Sequence, residues 1–240
     1  MTRRRWIADE ASSDRAWLTG EPAWHLAQVL RAQPGQQFDV VAGDRVRRGT
    51  IVAVTPERVE FTLADDLSVF EMRPVALVLA IWKFDRMEWA IEKCTELGVN
   101  AILPIIASRT DAHLAKSAGK RVERWNRLVR QAAQQSRRSS VPEIKAPIPL
   151  KNILGTSGFR VVLTETEREA HLAGMMSQFG SAEEDKPVTL AVGPEGGWTE
   201  NELHQFAGAG WISATLGPTI LRAETAAVAA TAIVFSSLRK

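Results

Sequence analysis

Residues able to do chemistry concentrate in two glycine-bearing stretches near the end of the sequence. The first, Gly193-Pro194-Glu195-Gly196-Gly197-Trp198, directly follows the apolar run Val188–Val192. The second, Leu216-Gly217-Pro218-Thr219-Ile220-Leu221-Arg222-Ala223-Glu224-Thr225-Ala226, joins a short apolar segment to an Ala-rich stretch. At the carboxyl ends of parallel strands, glycines let the backbone approach a ligand and leave bare N–H and C=O groups facing it. With an Arg and a Glu beside them, two such loops can hold a polar small molecule through main-chain contacts. On this reading a branched side chain at Gly196 fills space the ligand needs. The same residues also fit plainer roles, Gly193–Gly197 as a tight turn and Arg222 with Glu224 as an ion pair or a helix cap.

Other chemistries lack their residues. The four histidines, His25, His113, His171 and His204, are scattered without metal-ligand spacing, and one cysteine leaves no ordinary zinc set and no internal disulfide. Neither a phosphate-binding Gly-x-x-x-x-Gly-Lys loop nor a dinucleotide Gly-x-Gly-x-x-Gly follows any strand pattern, and there is no Gly-x-Ser-x-Gly. Cys94 falls mid-helix and reads as a buried, inert thiol. No apolar run approaches the ~20 residues of a membrane helix. The basic start lacks the long apolar stretch of a secretion signal, so the expectation is a reduced, cytoplasmic protein with no membrane partner.

The elements that must carry the two loops follow from periodicity. Gln37–Ala42, Arg45–Val54 and Arg58–Ala64 are short β-rich segments separated by turn residues, which predicts a small barrel, with a short helix over His25–Arg31 ahead of it. After Pro74 the pattern alternates. Strands are expected at Val75–Trp82, Ala101–Ala107, Arg160–Thr164, Val188–Val192 and near Ile212–Thr215. Helices are expected at Asp85–Leu97, Leu114–Arg138, about Glu200–Ala207 and from about Glu224, with Thr199 and Glu202 spaced as a capping box. Such alternation predicts a mainly parallel α/β domain, with its boundary near Leu67–Arg73 and a polar connecting loop at Ser177–Lys186.

Net charge is only +2, but between Ser108 and Lys145 ten basic residues face three acidic ones, a local excess of +7. Smaller basic clusters sit at Arg3, Arg4, Arg5 and at Arg45, Arg47, Arg48. Density of this kind attracts polyanions through counterion release, and equally describes a solvated helix face.

Taken in order, these residues resemble the ribosomal small subunit methyltransferase E family of the SPOUT superfamily. The resemblance runs from His25-Leu26, Val29-Leu30-Arg31 and Pro34-Gly35 through Lys83, Asp85-Arg86-Met87-Glu88-Trp89, Lys93 and Thr95-Glu96-Leu97-Gly98-Val99. It continues through Pro104, Arg109, Glu123-Arg124-Trp125, Gln131–Ser136, Arg138 and Val141-Pro142 to the two glycine loops. Phe84 stands where the family often has glycine, and Thr219 where it often has arginine. The resemblance implies a PUA-like β-barrel over residues 1–72 and, over 73–240, a SPOUT methyltransferase domain with a deep C-terminal trefoil knot. It further implies a homodimer that uses S-adenosylmethionine to methylate N3 of a uridine in 16S rRNA of the small ribosomal subunit. The cofactor would lie among Leu163-Thr164-Glu165, Gly193–Gly197, Leu216, Gly217, Ile220, Leu221 and Thr225. Arg222 would stabilise charge on the uracil oxygens, and Glu195 and Glu224 would accept the proton or orient Arg222. RNA would meet Arg3–Arg5, Arg45, Arg47, Arg48, Arg124, Arg127 and Arg138, and no metal is expected. Methylation of another RNA atom, such as a ribose 2′-oxygen, and a non-enzymatic rRNA-binding assembly factor are the alternatives.

Overall fold

The computed structural model describes residues 5–43, 45–67, 73–178 and 186–238. They fall into two compact units, one formed by the described part of 1–71 together with 133–141, the other by the described remainder. Residues 68–72 of the expected boundary and 179–185 of the expected connecting loop lie outside the described residues.

In the first unit the elements are β1 (Arg5–Ile7), β2 (Glu10–Ala11), β3 (Arg15–Thr19), α1 (Gly20–Trp24), β4 (Gln37–Ala42), β5 (Arg45–Val54) and β6 (Arg58–Asp66). The short helix expected at His25–Arg31 starts earlier, as α1, and passes into a π-helical turn over His25–Val29. Strands pair in the order β1-β4-β5-β6-β3-β2, antiparallel except for β1 on β4. The two ends of this path belong to one segment: between β1 and β2 the Ala8 N–H donates to the Val41 carbonyl and the Asp9 N–H to the Trp17 carbonyl, so the sheet curls round on itself as the expected small barrel does. Register shifts at Arg47/Gly49 and Ile51/Ala53 bend β5 against β6. Gly49 is required at the first of these, because a Cβ there would stand 2.6 Å from Val40 Cγ2. Inward positions of the bent strands, Leu18, Val40, Ile51, Val59 and Phe61, form the core. The segment from Ala133 completes the unit by packing on Ile7, Val41 and Val46.

The second unit contains β7 (Val75–Ala80), α2 (Phe84–Leu97), β8 (Ala101–Ile106), α3 (Ala112–Ala118), α4 (Val122–Gln135), β9 (Glu143–Ile144), β10 (Ile148–Pro149), β11 (Phe159–Leu163), α5 (Leu172–Gln178), β12 (Val188–Val192), α6 (Glu200–Gly208), β13 (Ile212–Ala214) and α7 (Ala223–Ser237). All of its strand pairs are parallel, in the order β10-β8-β7-β12-β11-β13, with β9 also on β8. Central strands are buried on both faces, which is why β7 and β12 read as unbroken apolar runs. On one side Trp198, Phe206 and Trp211 stack edge-on in series, each centroid 5.0 Å from the next, within the cluster that includes Val78, Ile105 and Val162. α7 packs on α2, α5 and β12.

The single helix expected over Leu114–Arg138 is broken into α3, a 3-10 turn at Gly119–Arg121, and α4. Gly119 weakens helix at the break by about 0.5–1 kcal/mol relative to alanine. Asp111 starts α3 by accepting the N–H groups of His113 and Leu114. α4 stops before Arg138 because Arg137 takes φ 58°, the left-handed position of a helix end, and the Arg138 N–H returns to the Ala133 carbonyl.

The capping box at α6 is formed, and it does more than cap. Glu202, 2% exposed, accepts the Thr199 N–H and hydroxyl through Oε2, both at 2.9 Å, and the Ser108 N–H through Oε1 at 2.7 Å. Burial by itself pushes this carboxyl up; the donors on Thr199 and Ser108 outweigh it and hold the group below its ordinary value. The stabilisation is therefore complete above the ordinary glutamate range and is lost as pH falls through the lower, folded-state value. Glu202→Gln should lower stability at neutral pH by about 1–3 kcal/mol, the usual loss for a hydrogen-bonded charge. Urea unfolding followed by tryptophan fluorescence should show the gap to wild type narrowing as pH falls below the ordinary glutamate range.

Candidate active site

β11 pairs with β12 on one side and β13 on the other, all parallel, so Leu163, Val192 and Ala214 end at one edge of the sheet. The three loops that leave them enclose a cavity of about 910 Å³. This is the edge at which open parallel sheets bind ligands.

Each loop is fixed by its own polar groups. After β11, Glu167 accepts the N–H groups of Arg168, Glu169 and Ala170 at 2.9–3.1 Å. Donation from Glu169 and Ala170 chiefly holds the Glu167 carboxyl below its ordinary value. The Thr215 N–H donates to Ala170 and the Leu172 N–H to Thr215, tying this loop to the end of β13. After β12, the Gly197 N–H closes a turn onto the Pro194 carbonyl at 2.8 Å. Trp198 Nε1 donates to the Leu163 carbonyl at 3.0 Å, joining the second loop to the first. After β13, the Thr215 hydroxyl and the backbone of Gly217 bond each other.

Of the expected cofactor residues, Leu163, Thr164, Glu165, Gly193, Pro194, Glu195, Gly197, Leu216, Gly217, Ile220 and Leu221 line the cavity. Gly196 and Thr225 do not. Gly196 faces away, and a Cβ on it would meet the Arg109 side chain at an ordinary 3.4 Å. The constrained neighbour is Gly197, whose φ is 70° and whose Cβ would stand 2.7 Å from Glu165 Oε1. Thr225 is exposed on the first turn of α7.

The charged groups are arranged differently from the expectation. Arg222 lines the cavity at the N-cap of α7, and its side chain makes no ion pair among the described residues. Glu195 and Glu224 instead flank Arg86, from the first turn of α2, each carboxylate 3.7 Å from its guanidinium. Glu195 lines the cavity; Glu224 is buried behind it, 9% exposed, with Oε2 lacking a hydrogen-bond partner. So Glu224 neither faces the cavity nor holds Arg222. Sequence reasoning gave no site role to Arg86, Arg168, His171 or Thr215, all of which line the cavity. No local signal marks Arg86, because both of its partners come from remote segments.

The expected RNA-facing arginines also divide. Arg3 and Arg4 lie outside the described residues. Arg5 is drawn inward, donating to the Arg137 carbonyl at 2.5 Å, and burial pushes its guanidinium down. Arg45 and Arg47 pair with Asp66 at 2.8 and 3.2 Å, and Arg48 with Asp39 at 3.3 Å. Arg124 pairs with Glu88 at 2.8 Å yet stays 61% exposed, and Arg127 is exposed with no ion pair among the described residues. Arg138 corrects the expectation of a surface cation. It is 8% exposed, and burial brings its guanidinium down to about 10.

Comparison with known proteins bears on this geometry. Residues 70–235 match the model of the RNA methyltransferase domain, and residues 18–64 that of the RNA methyltransferase PUA domain. The chain is 34% identical over 229 residues to ribosomal RNA small subunit methyltransferase E of Mycobacterium tuberculosis, covering 90% of this chain and 84% of that one. Among solved structures, the Neisseria gonorrhoeae ribosomal RNA small subunit methyltransferase E bound to S-adenosyl methionine superposes with a TM-score of 0.79 at 27% identity, covering 96% of this chain and 95% of that one. A Legionella pneumophila chain in complex with the same cofactor gives 0.82 at 26% identity, over 98% of both chains. With a parallel sheet whose strand ends hold a glycine-loop cavity, and with both family domains matched in order, the chain belongs to the ribosomal RNA small subunit methyltransferase E family.

Proposed function

We propose that this protein methylates N3 of a uridine in the 16S rRNA of the small ribosomal subunit, with S-adenosylmethionine as donor. The observation that carries the reading is the cavity at the ends of β11, β12 and β13, lined by Gly193, Gly197 and Gly217 and by Arg222, whose side chain makes no ion pair among the described residues. Bare main chain at Gly197, where even a methyl group meets Glu165, fits a ligand gripped by its polar edges. Leu163–Glu165, Gly193–Gly197 and Leu216–Leu221 would hold S-adenosylmethionine, which when bound supplies a methyl group on a sulfonium.

The chain's own residues handle charge and proton. Uracil N3 carries a proton, and the base develops negative charge on O2 and O4 as that proton leaves. Arg222 donates to those oxygens, its guanidinium having no competing carboxylate among the described residues. Glu195 accepts the proton from the cavity wall, with Arg86 keeping its carboxylate in place. Glu224, behind Arg86, steadies that guanidinium rather than touching substrate. Cys94 supports nitrogen rather than carbon methylation. Its thiol lies buried between α2 and α7 at 3.5 Å from the Thr231 hydroxyl, and burial pushes it up to about 12, so it offers no thiolate nucleophile.

Arg124 and Arg127 supply positive charge for RNA from α4, with Arg45 and Arg48 from the first unit; Arg138 takes no direct part. A homodimer covers Trp89 on α2 and Ile220 beside the cavity, which are 47% and 83% exposed in the single chain. The knot of the superfamily agrees with β13 crossing to the far side of β11 before α7 returns onto β12 and α2. On this reading the compartment is the cytoplasm, following its ribosomal RNA substrate.

Incubating the protein and S-adenosylmethionine with unmethylated small subunits, then digesting the RNA to nucleosides for mass spectrometry, should give 3-methyluridine. A ribose-methylated nucleoside, or no product, overturns the reading. Arg222→Ala should leave S-adenosylmethionine affinity within severalfold while cutting kcat by about 10²–10³, the usual loss of one oxyanion donor. Gly197→Ala should weaken cofactor binding by at least about tenfold, since the left-handed backbone costs an L-residue roughly 1–2 kcal/mol and its methyl displaces Glu165. Calorimetry on folded protein should find Gly196→Ala close to wild type.

A further inference from the structure

Arg109 sits in the densest basic stretch of the sequence, yet its side chain turns to the cofactor loop. It follows β8, in a turn closed by the Thr110 N–H on the Ala107 carbonyl at 3.0 Å and the Ala107 N–H on the Thr110 hydroxyl at 3.1 Å. One residue back, the Ser108 N–H is fixed on Glu202. With its backbone held, Arg109 reaches across and donates through Nη1 to the Gly196 carbonyl at 2.6 Å and, at 3.3 Å, to the Trp198 carbonyl. Its aliphatic stem covers the outer side of Gly196, with Cδ and Cβ at 3.4 and 3.7 Å from where a Gly196 Cβ would be. Arg109 itself does not line the cavity.

We propose that Arg109 is a positioning residue for the cofactor loop, acting from outside the cavity, and not part of the RNA-facing surface. Peptide units are planar, so anchoring a carbonyl oxygen sets the orientation of its whole peptide. Arg109 anchors the Gly196–Gly197 and Trp198–Thr199 peptides, which flank the Gly197–Trp198 peptide between them. With the Gly197 N–H bonded to the Pro194 carbonyl, two fixed neighbours limit how the Gly197 carbonyl can turn toward the ligand. Charge-assisted bonds from one guanidinium to two carbonyls suit this better than a mobile ammonium. Glu202 ties Ser108 to Thr199, so the same turn holds the loop where it runs into α6.

The inference rests on the S-adenosylmethionine reading of the cavity, and the test separates the two. In the full-length protein, Arg109→Ala should raise the calorimetric Kd for S-adenosylmethionine by about tenfold, the loss of one or two such bonds. Hydrogen exchange should quicken at the amides of Gly197 and Trp198. At saturating cofactor, kcat and the KM for small-subunit RNA should stay within about twofold of wild type, and Arg109→Lys should restore part of the affinity. Should the alanine variant fail to fold, Arg109→Met keeps the stem over Gly196 and removes only the donors, and its Kd decides. An unchanged Kd overturns the proposal, as does a rise in the RNA KM alone, which would return Arg109 to the RNA surface. Wild-type protein that does not bind S-adenosylmethionine would instead overturn the cofactor reading.

Discussion

The Trp198 indole connects the core of the second unit to the loops that face its cavity. Its ring stacks on Phe206, which stacks in turn on Trp211. Its N–H is spent on the Leu163 carbonyl, the last residue of β11, and its own carbonyl receives Arg109. Buried indole N–H groups usually take an acceptor, and here the bond joins the end of one strand to the loop after another. The glycine loop is thereby held from three directions, by packing below, by a neighbouring strand and by a cation outside. A loop so held can present unprotected backbone to a ligand without collapsing onto the sheet.

Charge around the cavity is divided between two arginines with different circumstances. Arg86 has two carboxylate neighbours, and its position is settled before any ligand arrives. Arg222, which lines the cavity, has none among the described residues. This separation explains why a single Arg–Glu pair read from Arg222-Ala223-Glu224 was too simple. The first turn of a helix points residues two apart in different directions, so Arg222 turns to the cavity while Glu224 turns inward to α2.

Periodicity made much of the fold legible. β4, β5 and β12 stand at the expected residues because alternation or full burial leaves a plain mark. The interruption between α3 and α4 was missed because amphipathic periodicity continues across Gly119, and β1 to β3 because runs so short carry little pattern. At the site, the glycine loops were visible, but which of two adjacent glycines bears the constraint was not. That choice is made by the turn onto Pro194, which places Gly197 rather than Gly196 against Glu165. Arg86 and Arg109 were invisible in those roles because each acts on groups far along the chain. Burial of Arg138 was hidden for a related reason, since a basic run does not show which of its members the packing encloses.

The segment 133–141 belongs to the first unit although residues 72–132 separate it from the rest of that unit. Ala133 packs beside Ile7, Val41 and Val46, and the Arg137 carbonyl receives Arg5. A chain emerging from its N-terminus therefore cannot complete its first unit when that unit's strands are out. The small sheet must wait, with one apolar side uncovered, until α4 has been made and Arg137 turns the chain back. Assembly order during synthesis is thus interleaved: an early module is finished by a late segment, after part of its successor already exists.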